Sequence, residues 1–251
     1  MTVLRVFYCG DQVMLITTYV KGMNSWTDGV VHDESFHLRK ALESDPEIQL
    51  TYLPTSEVQR NFPKPDQLDQ YDVILFSDVG TDTVIMYEDR FNNCPMGVDR
   101  LGALKAWTSN GGGFCGVGGW LSFGGMFGVA KWHKTPVEEI LPVTCYPYDD
   151  RVEISEGMKP TILKKDHPIF EGVDFDSAPP LFSGYNEVKA KDGVDVLAKY
   201  NEDPIIVTGQ YGKGRTLAFA TDPAPHWGRG MVEWKDYTRF WINVVKWLGG
   251  K

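Results

Sequence analysis

The sequence predicts an α/β fold built on a doubly wound, mostly parallel sheet with an added β-rich segment. Three observations point there. Short apolar runs closed by Gly, Asp or Pro alternate with amphipathic stretches through the first half of the chain. One of them, Tyr71-Asp72-Val73-Ile74-Leu75-Phe76-Ser77, has a continuous apolar centre, the mark of a strand covered on both faces. Hydrophobic residues make up 42% of the 251, enough to fill a core behind such strands.

Leu4-Arg5-Val6-Phe7-Tyr8-Cys9 reads as the first strand, closed by Gly10-Asp11. Gln12 to about Gly29 reads as a long loop bearing Tyr19, Met23 and Trp26, a length that in compact domains often carries function. A helix is expected over about His32 to Ser44, with Phe36, Leu38, Ala41 and Leu42 as its apolar positions. Gln49 to Leu53 is a second strand closed by Pro54, and a helix starts near Ser56. The Tyr71 to Ser77 run is the third strand and ends in Asp78-Val79-Gly80-Thr81. Asp99 to Ser109 is a helix with Leu101, Leu104, Ala106 and Trp107 on one face, turned by Asn110-Gly111-Gly112-Gly113. Phe114 to Val117 is a fourth, buried strand. This order predicts parallel strands with right-handed crossovers, in a flavodoxin-like arrangement. Gly116 to Gly128 is too glycine-rich for a stable helix, so a loop is expected there.

The second half is less regular. Val137 to Leu141 is a helical turn before Pro142, and Arg151 to Ile154 alternates like a half-exposed strand. Three strands follow at Val194 to Tyr200, Pro204 to Gln210 and Arg215 to Thr221, the last two joined through Tyr211-Gly212-Lys213-Gly214-Arg215 as a hairpin. The added β-rich segment is expected between about residues 144 and 200. Tyr237 to Leu248 closes the chain as an amphipathic helix, with Phe240, Trp241 and Trp247 serving the core or a subunit contact. No repeat or linker divides the chain, so one domain over residues 1–251 is expected.

Charge and composition narrow the function. The net charge of −9 opposes binding to phosphate backbones or anionic membranes. No run of about 18 apolar residues can cross a bilayer. Met1 to Gly10 reads as a strand rather than an export signal, so a cytoplasmic protein is expected. Cys9, Cys94, Cys115 and Cys145 form no CxxC pair and no zinc-spaced cluster, as reduced thiols would.

Gly111-Gly112-Gly113-Phe114-Cys115-Gly116-Val117-Gly118-Gly119-Trp120 resembles the stretch that leads to the nucleophile in class I glutamine amidotransferases. Further segments resemble a narrower family described as putative glutamine amidotransferases: Lys21-Gly22 to Trp26; Asp78-Val79-Gly80; Gly118 to Phe123; Trp132-His133-Lys134-Thr135-Pro136-Val137-Glu138-Glu139; Gly184-Tyr185-Asn186; Tyr211 to Arg215; and Asp222-Pro223-Ala224-Pro225-His226-Trp227-Gly228. The resemblance implies a nucleophilic Cys at the turn after the fourth strand and a His-x-Glu pair after a late strand. This sequence departs at two of those three places. Gly118 stands at the turn, and Gly228 stands two residues after His226. Covalent attack needs a thiolate beside an oriented base, so glutaminase activity is not expected.

The candidate site lies at the carboxyl ends of the strands, where open α/β sheets bind ligands. His226 is the candidate acid, base or ligand. Cys115 is a candidate nucleophile only if its strand ends earlier, and its apolar neighbours favour a buried thiol. Gly118 and Gly119 can offer backbone N–H groups to an anion. Asp78, Gly80, Trp120, Ser122, His133, Tyr185, Asn186 and Trp227, with Asp11 and Trp26, complete an expected pocket for a small polar molecule such as a carbohydrate. No cofactor and no metal are expected; His133, Asp78 and His226 are suitable donor types, but their spacing alone does not assemble them. The alternatives are a hydrolase using Cys115 or a His226-activated water, and an oligomeric structural or regulatory subunit.

Overall fold

A computed structural model of the protein describes residues 3–86, 93 and 96–251; Cys94 lies outside the described residues. In chain order the strands are β1 Leu4–Gly10, β2 Gln12–Lys21, β3 Asn24–Asp33, β4 Ile48–Pro54, β5 Val73–Ser77, β6 Gly113–Val117, β7 Val143–Cys145, β8 Arg151–Met158, β9 Thr161–Ile162, β10 Phe182–Asn186, β11 Val188–Ala190, β12 Asp195–Tyr200, β13 Asp203–Tyr211 and β14 Gly214–Phe219. The helices are α1 Phe36–Glu43, α2 Val58–Asn61, α3 Thr81–Ile85, α4 Arg100–Ser109, α5 Pro136–Ile140, α6 Arg229–Val232 and α7 Tyr237–Leu248.

Eight strands form one mixed sheet in the order β4-β1-β5-β6-β14-β13-β12-β9. The five from β4 to β14 run parallel, and β13, β12 and β9 extend the sheet antiparallel. The strand period of two decides which side chain faces which layer. Val6, Tyr8, Val73, Leu75, Cys115 and Val117 turn to one core, where α1 gives Leu38 and Leu42 and α7 gives Phe240, Trp241 and Val244. Their sequence neighbours Phe7, Cys9, Ile74, Phe76 and Phe114 turn to the other, covered by Leu101, Leu104 and Trp107 of α4. β5 and β6 are buried throughout, as their unbroken apolar character requires. Phe240 and Trp241 are fully buried, so they serve the core.

Two expectations need correction. The stretch read as a loop after β1 is a regular antiparallel hairpin, β2 with β3, paired from Gln12 with Asp33 to Lys21 with Asn24. Its strands are β-branched and aromatic (Ile16, Thr17, Thr18, Tyr19, Val20, then Trp26, Thr27, Val30, Val31), the residue types that suit a pleated strand. For the same reason α1 begins at Phe36, four residues after His32, because β3 runs through Asp33. The stretch from Gly118 to Gly125 is a loop, as its glycines dictate, followed by a single 3-10 turn at Met126–Gly128.

Candidate functional site

Four chain segments meet at the carboxyl ends of the parallel strands. They are Asp11 after β1, Glu34 after β3, Asp78 after β5 and the Asp222–His226 loop that follows β14.

His226 stands between two carboxylates. Its Nδ1 is 3.1 Å from Oδ2 of Asp222, which is buried, and its Nε2 is 3.2 Å from Oε1 of Glu34. The Asp222 hydrogen bond, ahead of the burial that opposes it, raises the imidazole from 6.5 to about 9. Trp120 lies flat on the ring, with centroids 5.4 Å apart and planes 6° from parallel. Asp222 also accepts the Ala224 N–H at 2.8 Å, so the four-residue spacing from Asp222 to His226 is set by a local turn.

Asp78 has φ 48°, the left-handed region in which Asp is one of the few tolerated side chains. Its N–H donates to Ser122 Oγ at 3.0 Å and its Oδ1 accepts the Leu121 N–H at 2.5 Å. Burial, then the neighbouring Asp222, pushes its carboxyl up to about 7. Asp11 is buried, accepts from the Tyr8 hydroxyl and from Ser77 Oγ, and is pushed well above the usual carboxylate range, chiefly by burial. Glu34 is raised by burial as well. One ligand atom each from Glu34, Asp78 and His226 all lie within 4.8 Å of one another. The side chains of His226 and Glu34 are 27% and 19% exposed, so solvent reaches them. These groups suit a cation or hydroxyl-bearing ligand, or moving a proton at Nε2 of His226.

The turn after β6 holds no side chain. A Cβ at Gly118 would lie 2.8 Å from each of Ala220 C, Asn186 Oδ1 and Thr221 O. A Cβ at Gly228 would lie 2.1 Å from Asp222 O and 2.6 Å from Ala224 O. Both places where the amidotransferase pattern puts a reacting or orienting side chain are packed so closely that only glycine fits. Cys115 sits inside β6, paired with Leu75 and Leu217 and fully buried, and burial pushes its thiol up. That is the environment of an inert structural thiol.

Several expected ligand contacts are structural instead. The Gly118 N–H donates to Phe219 O at 2.7 Å and the Gly119 N–H to Asn186 Oδ1 at 3.0 Å, so these two N–H groups are engaged within the fold and not offered to an anion. Asn186, fully buried, clamps the loop by also donating to Gly119 O, Ser122 O and Asp150 Oδ1. Ser122 is buried behind Asp78, and Gly80 is packed against Ala130. Tyr185 is buried and donates to Asp203, and buried Trp227 donates from Nε1 to Glu153. His133 faces Glu138 and the Cys145 carbonyl, and the donor group at His226 contains Glu34 and Asp78 rather than His133. Trp26 stacks on Tyr19 along the hairpin, outside the cluster. Of the expected residues, Asp11, Asp78, Trp120 and His226 come together.

Glu34 and Asp222 were not among the expected residues. Asp222 carried a signal, an acid directly after a late strand and one turn before a His. Glu34 carried none, because only the hairpin returns it to the end of β1, where its N–H donates to Asp11 O.

The model of a family described as "putative glutamine amidotransferase" matches residues 5–250. The cytoplasmic protein STM3548 from Salmonella typhimurium is 34% identical, with 98% of this chain and 99% of that one covered, at a TM-score of 0.91. The cytoplasmic protein STM1381 from Salmonella typhimurium LT2 is 33% identical over the same shares, also at 0.91. A structure described as a putative ThuA-like protein from Parabacteroides merdae is 10% identical over 100% of this chain and 91% of its own, at 0.56, a likeness of fold alone. No curated protein matches the chain.

Proposed function

Because the chain belongs to the "putative glutamine amidotransferase" family, we propose that it uses the scaffold of that family without glutaminase chemistry and binds a small polar molecule, such as a carbohydrate or polyol, at the strand ends. The observation that carries this reading is the blocked turn, where a Cβ at Gly118 would sit 2.8 Å from backbone and side-chain atoms of three residues. A nucleophile has no room there, and the buried Cys115 does not replace it. What stands at the strand ends is a set of carboxylates, an imidazole and the half-exposed indole of Trp120, which lies on His226 and has the Arg151 guanidinium over its ring. Carboxylates accept from hydroxyls, and the exposed edge of the indole gives a ligand an apolar contact. The parallel strands, counted along the chain, lie in the order second, first, third, fourth, fifth, which supports the flavodoxin-like, class I description and a ligand at the switch point beside β1. That both Salmonella relatives are described as cytoplasmic supports the same location here.

The test is a thermal-shift screen with sugars, polyols, amino acids and amides, run beside an assay of ammonia release from glutamine. Stabilisation by a hydroxylated ligand, lost in Trp120→Ala, with ammonia at the no-enzyme rate is expected. Ammonia release that disappears in Cys115→Ala would overturn the reading.

A second reading, assembly into an oligomer, is favoured by the hairpin. Met14, Leu15, Ile16, Tyr19, Val20 and Trp26 are between 45% and 75% exposed, and Met23 at the tip is fully exposed. From Gln12 to Asp33 the ribbon carries no proline, and its Asp and Lys residues are Lys21, Asp28 and Asp33, with none of them on β2 before Lys21, so that edge has little of the charge that keeps free edges apart. An antiparallel ribbon edge is complementary to its own copy across a two-fold axis, so the partner that fits is a second copy of this chain.

A further inference from the structure

We infer that Glu34, Asp78 and His226 hold one divalent transition-metal ion, with Asp222 as the outer partner that orients the histidine. The inference rests on the strand-end site being the working site, and it adds what that site is built to hold.

Three independent features converge on a cation. First, the three donor atoms lie within 4.8 Å of one another although they come from three segments, after β3, after β5 and after β14. Donors this close need only a small rearrangement of side chains to close on one ion with ligand bonds near 2.0–2.2 Å. Second, the Nδ1 of His226 points at a buried carboxylate, Asp222, at 3.1 Å, so Nε2 is left to face Glu34 and the cluster. A carboxylate behind a metal-bound imidazole is the usual way its tautomer and orientation are held. Trp120, flat on the ring, fixes the same orientation from the side. Third, the cluster is rich in carboxyl groups and poor in cations. Glu34, Asp78 and Asp222 gather about a single imidazole with Asp11 behind them, and among the described residues no Lys or Arg pairs with any of the four. Asp11 and Asp222 are each 1% exposed. Buried carboxyl groups either stay protonated or meet a partner of opposite charge or a metal ion, and a cation is the partner this cluster lacks.

One imidazole and two carboxylates suit zinc or manganese rather than a thiolate-preferring ion. An ion bound at Nε2 of His226 displaces any proton on that atom to solvent. Three protein donors leave coordination positions open to water or to the oxygens of a diol or hydroxy acid, which joins the metal to the polar-ligand reading.

The experiment is calorimetric titration of the chelator-treated full chain with zinc chloride, and separately with manganese chloride. One equivalent per chain at micromolar or tighter affinity is expected for at least one of them, weakened tenfold or more in Glu34→Gln and in His226→Gln. Glu34 is half-buried, so Glu34→Gln keeps the test open where His226→Gln fails to fold. His133→Gln, altered where the imidazole faces Glu138 and Cys145, should bind as the unaltered chain does. No binding of either ion, affinity unchanged in Glu34→Gln, or affinity lost equally in His133→Gln would overturn the inference. The polar-ligand screen run on chelated and metal-loaded protein fails separately. One metal bound with no polar ligand captured sustains the metal site and sinks the ligand reading, and ligand captured with no metal bound does the reverse.

Discussion

A Cβ at Gly118 would share its space with Ala220, Asn186 and Thr221, and one at Gly228 with the Asp222 and Ala224 carbonyls. These contacts make the two departures from the amidotransferase pattern structural, since the backbone has closed over both positions. The clamp that closes it is Asn186, whose amide holds Gly119 from both sides and reaches Asp150. Asn186→Ala should therefore strand the buried Gly119 N–H in the interior, at a cost of about 1–3 kcal/mol, while Asp150 keeps the Gly124 and Gly125 N–H groups as donors. Urea unfolding would show this as a lower midpoint with an unchanged slope. His226 gives a second test. Its pKa is raised, so its imidazolium stabilises the fold fully below pH 6.5 and the contribution fades as pH rises through about 9. In chelator-treated protein, NMR titration should place its midpoint near 9, and the stability difference between the unaltered chain and His226→Gln should shrink between pH 7 and 10. A midpoint near 6.5 would mean that Asp222 and Glu34 do not hold the proton. The sequence made His226 and Asp78 legible because each follows a strand. It hid the inert roles of Asn186, Tyr185 and Trp227, because burial of a polar side chain depends on what folds over it.

At the scale of elements, the hairpin of β2 and β3 is where pattern reading failed most. A ribbon with no face in the core carries no alternation of apolar and polar residues to mark it, and its β-branched and aromatic residues are the local signal for strand. A two-stranded ribbon alone in water is only marginally stable. The exposed Leu15, Tyr19, Trp26 and Val30 on one face, and Met14, Ile16, Val20 and Val31 on the other, point to a covering copy. Size-exclusion chromatography with light scattering should give a dimer or larger assembly. Ile16→Lys combined with Val20→Lys should give a monomer with unchanged far-ultraviolet circular dichroism. A monomeric unaltered chain would remove the assembly reading while leaving the strand-end site as it stands. The same hairpin delivers Glu34 to the cluster, so its second role is to complete the site.

Across the whole molecule, the parallel half was legible because β5 and β6 are buried on both faces and announce themselves as apolar runs. The mixed character of the sheet was less so. β12 and β9 join its far edge through short irregular pairings, with register shifts between Val196 and Lys199, and such contacts leave little trace in a local pattern. The sheet gathers Asp11, Asp78 and His226 at one end and keeps Cys115 within a strand, two residues short of the turn. The central claim is that this scaffold performs no covalent amide chemistry. Its most direct test is intact-mass spectrometry after incubation with an electrophilic glutamine analogue that alkylates active-site thiols. The mass should stay unchanged at times that fully label a glutaminase of the same superfamily; a single adduct mapped to Cys115 would contradict the account.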